Sequence, residues 1–294
     1  MNTIHIFFTA NNYYAPYLAT TISSIISNLN DKYNAYFHVI SNDMMEINKI
    51  KIDKLKNIRN FEIEYLSVDN AEIMQKLPKH SFASVSIDTN YRLMTANLRP
   101  NIDKAIFLDC DLVVNDDISE LWNIDIDGYY AAAAPDSIAG SYIEDWWYNK
   151  FQLPNGFLYR NTGVLLINMK KWREDNIFEK FIESSIKYYD FIKITDQDII
   201  NITLSSKFKL LDSCWNYCPS LYYPDTEMEK KIKNTSKIYH YALIKAWKPV
   251  YSLSYEESKS DYRELFWKYA KMTVYYEDII YKINIKIFWT FNIH

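Results

Sequence analysis

Glycine is scarce in this chain of 294 residues, which holds four. A phosphate site built as a glycine-rich cradle of backbone amides is therefore excluded. Cysteine is scarcer still. Three cysteines make no disulfide framework in a chain this long, and Cys214 and Cys218 lack the second pair a zinc site needs. A reducing cytoplasm is the compartment this favours. Arginine is rare, six against 27 lysines, so the place of each permanently charged, forked group matters. No apolar run reaches the roughly 18 residues of a membrane span. The start, Met1 to Thr9, has neither the basic nor the long apolar stretch of a targeting peptide, and none is expected. There is no internal repeat and no low-complexity linker. A net charge of −4 argues against a nucleic-acid partner.

What is present is apolar and aromatic. At 49% hydrophobic and 17% aromatic the chain can pack a large core, which excludes a disordered one. Ile4–Thr9 reads as a buried strand, followed by a helical pattern through Leu18, Ile22, Ile25, Ile26 and Leu29. Ala35–Ile40 and Phe61–Leu66 read as further strands, with helices over Met45–Leu55, 71–77 and 87–98. Ala105–Leu108 is a strand that ends in Asp109-Cys110-Asp111. This alternation predicts a parallel sheet covered by helices on both faces. Beyond it, Tyr129–Ala134, Val164–Asn168 and Lys237–His240 read as strands, and Trp172–Tyr189 and Gln197–Leu204 as helices. From about residue 255 the pattern is helical, aromatic and lysine-bearing. The expected organisation is one catalytic domain over residues 1–254 and a C-terminal helical appendage over 255–294.

In open α/β sheets ligands bind beyond the carboxyl ends of the strands. Two such ends stand out: Thr9-Ala10-Asn11-Asn12 and Asp109-Cys110-Asp111. Paired carboxylates at a strand end offer hard oxygen ligands of the kind that suit Mg²⁺ or Mn²⁺ and leave room for phosphate oxygens. A bare Asp-x-Asp is more often a solvated turn. Thr195-Asp196-Gln197-Asp198 opens a helix, where an acid is commonly only a cap. His240 closes a short strand, and Asn161-Thr162-Gly163 precedes one; both are ordinary by themselves.

Their order is not ordinary. Phe107-Leu108-Asp109-Cys110-Asp111 with Ile118 to Trp122, Asn161-Thr162-Gly163-Val164 to Trp172, Asp196-Gln197-Asp198 to Asn201, and Ile238-Tyr239-His240-Tyr241 with its following lysines and tryptophan together resemble the family 8 retaining glycosyltransferases. Within that family the chain resembles the bacterial lipopolysaccharide and lipooligosaccharide sugar transferases. The likeness spans about residues 3–250. It implies a GT-A-like, Rossmann-type mixed sheet flanked by helices, a UDP-hexose donor, a saccharide or glycolipid acceptor, and Mn²⁺, with Mg²⁺ as the alternative ion. Asp109, Asp111 and His240 are implied as metal ligands. Thr9, Ala10 and Asn11 would line uracil and ribose, and Arg92 and Asp109 would touch ribose or donor sugar. Asn161, Asp196 and Gln197 would surround the transferring hexose, with Asp136 near sugar and acceptor. The diphosphate lysine is Lys245 if Trp247 matches the family tryptophan, or Lys248 if Lys-Pro is matched instead; Lys245 is favoured. With no acid clearly set as nucleophile, a front-face transfer is expected.

Three departures from the family pattern are Asn11-Asn12 where acids are common, Ala242-Leu243-Ile244 where a glycine is common, and the altered Lys-Ala-Trp. The altered loop after His240 keeps a second reading open, a catalytically weak nucleotide-sugar-binding partner in a glycan-assembly complex. The last residues carry Ile279, Ile280, Ile283, Ile287 and Phe288 at helical spacing, with Lys282, Lys286 and Trp289. Such a helix suits an anionic membrane surface, so the protein is expected at the inner face of the cytoplasmic membrane.

Overall fold

The first strand, β1 (Asn2–Thr9), is covered on both faces: Ile4, Ile6 and Phe8 enter one apolar cluster and Phe7 the other, all fully buried. Burial on both sides is the condition under which parallel sheets form. The computed structural model describes residues 2–69, 77, 87–136, 145–218, 234–242, 245–248 and 263–281. In chain order its remaining strands are β2 (Tyr33–Ile40), β3 (Glu62–Leu66), β4 (Lys104–Leu108), β5 (Leu112–Val114), β6 (Ala131–Ala133), β7 (Val164–Asn168), β8 (Phe208–Leu210) and β9 (Ile238–His240). Seven of them form one sheet in the order β3-β2-β1-β4-β7-β6-β8. The β3 to β4 half is parallel, as the alternation predicts. β7 then runs antiparallel to both β4 and β6, so the sheet is mixed, the GT-A-like arrangement expected. β5 and β9 make a separate antiparallel pair.

Helix α1 (Ala15–Asn28) is buried over most of its length, and Thr20, Thr21, Ser23 and Ser24 are buried with it. Those hydroxyls have partners, which is what their burial requires. Thr21 donates to the Leu112 carbonyl (2.7 Å), and Ser24 accepts from the Val114 amide (3.0 Å). The helix is thereby pinned to β5, next to the Asp109–Asp111 turn. The other main helices are α2 (Glu46–Asp53), α3 (Met169–Glu174), α4 (Ile177–Lys187), α5 (Thr195–Leu204) and α6 (Arg263–Ala270).

Two expected helices differ. Residues 87–98 are a 3-10 segment, Ile87–Met94, with only Thr95–Leu98 α-helical. Tyr91, Arg92 and Leu93 are all buried, and a regular α-helix would turn one of three successive side chains outward. Residues 172–189 are not one helix but α3 and α4, separated at Asn176, whose φ of 50° is left-handed. Asparagine tolerates that region better than most residues. The expected helix at 71–77 lies outside the described residues apart from Leu77.

Residues 263–281 share the main core. Phe266, Tyr269, Ala270, Tyr275 and Ile279 are buried in the same cluster as β1. Ser23 of α1 donates to the Tyr269 carbonyl at 3.0 Å. Ile279, assigned from the sequence to a membrane-facing stripe, is only 1% exposed; the spacing that suits a lipid surface suits a protein core equally. Ile283, Ile287 and Phe288 lie outside the described residues. Beside this segment, a cavity of about 510 Å³ is bounded by Asn12, Tyr13, Asn48, Lys51, Tyr275 and Tyr281. Among the described residues no helix is long and apolar enough to cross a membrane.

Candidate active site

Where β4 ends, the Asp109 amide donates to the Gly163 carbonyl (2.8 Å), tying the first acidic turn to the start of β7. Cys110 turns inward and its thiol reaches the Thr9 carbonyl at 3.3 Å. With the middle residue facing the core, Asp109 and Asp111 both face the mouth, as strand alternation requires. The β5–β9 register sets Leu112 opposite His240, and the Tyr241 amide donates to the Asp111 carbonyl (2.8 Å). His240 Nε2 then lies 3.2 Å from Asp111 Oδ1 and 3.6 Å from Asp109 Oδ2. One ligand atom from each of the three lies within 4.8 Å of the others. Two carboxylate oxygens and an imidazole nitrogen fit a divalent cation. Gly163 is required by space: a Cβ there would collide with the His240 ring and lie 2.7 Å from Asp109 Oδ2.

The acids are compensated by two cations. Lys245 Nζ pairs with Asp111 Oδ2 and donates to the Ala242 carbonyl (3.1 Å). Arg92, buried over Phe107, binds Asp109 Oδ1 through Nη2 (2.7 Å) and the Thr162 carbonyl through Nη1 (2.9 Å). Burial works to raise the Asp111 carboxyl, but Lys245 and His240 outweigh it and hold it well below the usual range. Burial works to lower Lys245 and Arg92, and their acid partners hold both above their ordinary values. His240 is likewise pulled down by burial, and Cys218 and Asp111 together carry it well above the usual imidazole range.

A second group of residues is mostly neutral. Asp136 Oδ2 accepts from Asn161 Nδ2 (3.1 Å) and Gln197 Nε2 (2.9 Å). Gln197 Oε1 accepts from the Thr162 amide (3.0 Å), and Asn161 Oδ1 from the Gly163 amide (2.9 Å). Asp196 connects the two groups. Its Oδ2 lies 2.8 Å from Arg92 Nε, whose N–H is directed at the Thr89 carbonyl, so this buried oxygen has an ion-pair neighbour and no hydrogen bond. Burial raises its carboxyl, only partly offset by Arg92. Asp198 is a scaffold residue, accepting from the Tyr159 hydroxyl (2.6 Å) and from the Lys193 and Ile194 amides.

Asp109, Asp111, His240, Arg92, Lys245, Asp136, Asn161, Asp196 and Gln197 are therefore brought together. At the end of β1, Thr9 keeps a buried hydroxyl with no partner, the Ala10 amide donates to Ile40, and Asn11 caps the next turn by accepting from the Tyr14 amide (3.1 Å). Trp247 stacks on Tyr17 with centroids 3.6 Å apart, while Lys248 is exposed. Sequence reasoning missed Asn216. It accepts at Oδ1 opposite His240 Nδ1 (3.0 Å) and donates through Nδ2 to Asn161 Oδ1 (2.8 Å). A polar residue directly after the buried Trp215 was the one available cue.

With this geometry in place, comparisons with known proteins agree. The chain is 37% identical over 229 residues to a putative glycosyltransferase of Haemophilus influenzae, covering 78% of this chain and 66% of that one. It is 26% identical over 283 residues to the glycosyltransferase GlyB of Streptococcus pneumoniae, covering 92% and 62%. It thus spans slightly less than two thirds of either relative. The crystal structure of the galactosyltransferase LgtC with donor and acceptor sugar analogues superposes with a TM-score of 0.76 at 26% identity, over 92% of this chain and 96% of that one. The sequence profile of glycosyl transferase family 8 matches residues 5–250, and the chain belongs to that family.

Proposed function

We propose that the protein is a retaining glycosyltransferase that moves a hexose, galactose or glucose, from a UDP-sugar to a saccharide of a bacterial surface glycan such as lipooligosaccharide. Mn²⁺ is the ion assigned to Asp109, Asp111 and His240, since an imidazole ligand suits it better than Mg²⁺. The observation that carries this reading is the shared wall of the site. Gly163 packs against the ligand cluster, and Asn161, two residues earlier, bonds Asp136. One mouth thus offers a cation site for a diphosphate beside hydrogen-bonding groups for a sugar.

When bound, the ion supplies Lewis-acid stabilisation of the charge that develops on the leaving UDP. Lys245 adds a second positive charge there by turning from Asp111 to the diphosphate. Thr9, Ala10 and Asn11 line the uracil and ribose. Arg92 and Asp109 bound the ribose and hexose, and Asp196 Oδ2 accepts a sugar hydroxyl. Gln197 is an unsuitable nucleophile, because its carbonyl is already engaged by a backbone N–H. The acceptor hydroxyl therefore attacks from the face the UDP leaves. A bond forms from its oxygen to the anomeric carbon, the bond to phosphate breaks, and the hydroxyl proton passes to a diphosphate oxygen. Asp136 orients the hydroxyls.

The test is product analysis. With Mn²⁺, UDP-galactose or UDP-glucose should yield UDP slowly in water, and a glycoside of retained anomeric configuration with an oligosaccharide acceptor. No UDP from either donor, or from their N-acetyl analogues, overturns the reading. We further propose that residues 282–294 contact anionic lipid at the inner membrane face through Lys282, Lys286, Phe288 and Trp289, with each lysine adding about 1 kcal/mol.

A further inference from the structure

The direction of the buried side-chain amides behind the site is fixed by two backbone N–H groups. The Gly163 amide must donate, so the atom of Asn161 facing it at 2.9 Å is the carbonyl oxygen. That same oxygen faces Asn216 at 2.8 Å, so Asn216 presents its NH₂ there and its carbonyl oxygen to His240 Nδ1 at 3.0 Å. An amide oxygen cannot donate. The Cys218 thiol is also near, 3.6 Å from Nδ1 and 3.7 Å from Asn216 Oδ1, and the shorter 3.0 Å contact between Nδ1 and the amide oxygen is the one that needs a proton between them, so His240 carries it on Nδ1 while Nε2 is directed at Asp109 and Asp111. At the other end, the Thr162 amide fixes Gln197 Oε1, leaving Gln197 Nε2 to Asp136. Asn216 is 4% exposed and the Asn161 side chain is also buried. Reversing either amide would set two donors or two acceptors against each other where no solvent can intervene.

We propose that Asn216 is a positioning residue that holds His240 in the Nδ1–H form, so that the Nε2 lone pair is aimed at the cation, and that it ties this orientation through Asn161 to Asp136 and Gln197. Neither its type nor its place marks it as a ligand. It acts through His240, as partners of a metal-binding imidazole do when they fix the ring's protonation and direction. The proposal rests on Asp109, Asp111 and His240 being a cation site.

Two variants separate the roles. Asn216→Asp keeps an acceptor for His240 Nδ1–H but no longer donates to Asn161. Asn216→Leu removes both contacts. Binding is measured without donor, by titrating Mn²⁺ and following the free ion by electron paramagnetic resonance, and UDP binding is measured separately in chelator. Asn216→Leu should bind Mn²⁺ about 10–100-fold more weakly, Asn216→Asp should stay within a few-fold of the parent, and metal-free UDP binding should be unchanged in both. Parent-like Mn²⁺ affinity in Asn216→Leu, or an equal fall in both variants, overturns the proposal. A measurement on the parent needs no variant to fold: with Zn²⁺ as diamagnetic probe, long-range ¹H–¹⁵N spectra should place the His240 ring proton on Nδ1, and a proton on Nε2 overturns it. A parent that binds neither Mn²⁺ nor Zn²⁺ overturns the cation site itself, a different result from normal Mn²⁺ binding that ignores Asn216.

Discussion

The two sides of the site hold their residues by different means. Around Asp109 and Asp111 the contacts are ion pairs, with Arg92, His240 and Lys245. Around Asp136 they are neutral amides whose direction is set by backbone N–H groups. Ion pairs depend little on direction, so in the proposed mechanism Lys245 leaves Asp111 for a phosphate once a cation takes its place. Amides cannot reverse without stranding a buried polar group, at roughly 1–3 kcal/mol. On the proposed reading, one side is free to change partners during a turnover and the other holds still beside the sugar.

The strongest way to break that contrast is on the charged side. Asp111→Asn removes an anionic ligand and releases Lys245 and His240, and should lower kcat/KM by about 10²–10³-fold while abolishing Mn²⁺-dependent UDP binding. Circular dichroism of the variant checks that it is folded, and wild-type turnover by a folded variant would remove the cation from the mechanism. On the amide side the effect should be smaller and of another kind. Asp136→Asn should lower kcat by about 10–100-fold, as for the loss of a group that orients reacting hydroxyls, with Mn²⁺–UDP affinity unchanged within threefold. Calorimetric titration alongside initial rates reads both; a parallel loss of nucleotide affinity would mean that the two sides are not separate.

These expectations draw on different degrees of legibility. Asp109, Asp111 and His240 stand at the ends of apolar strands, where a polar side chain has few places to go but the mouth, yet it was the resemblance of the ordered motifs that marked them as ligands. The parallel half of the sheet was legible for the same reason, since β1 and β4 are continuous apolar runs. Arg92 was placed beside the donor by resemblance, yet its ion pair with Asp196, more than 100 residues away, follows only from the tertiary fold. Asn216 was hidden because it joins residues from three separated segments, and no local period encodes that meeting. The break at Asn176 and the 3-10 turn carrying Arg92 were missed because the apolar spacing there is compatible with a continuous helix, and the tertiary packing decides otherwise.

A subtler test concerns acid. Asp196 is raised by burial, so its ionised form costs stability at neutral pH; that cost disappears as pH falls through its raised value toward the unfolded one. Asp111 is depressed, so its contribution is present at neutral pH and is lost only as pH falls below its unfolded value and through its lower folded one. Asp196→Asn should therefore melt at or above the parent temperature at pH 7, with the difference shrinking toward pH 4, while losing activity. A variant that melts lower at pH 7 would show that the Arg92 pair outweighs burial. The smallest expected effect is at the end of the chain. Truncation after Tyr281 should leave soluble-acceptor kinetics within twofold and reduce sedimentation with anionic vesicles in a salt-dependent way. Truncation before Arg263 removes Phe266 and Tyr269 from the core and should prevent folding.

One cavity brings Tyr281 together with Asn12 and Tyr13. Those two residues adjoin Asn11, at the end of β1, so Tyr281 lies on the side of the sheet where the parallel strands end. A fluorophore attached at position 281 would thus report on the mouth of the sheet rather than on its back.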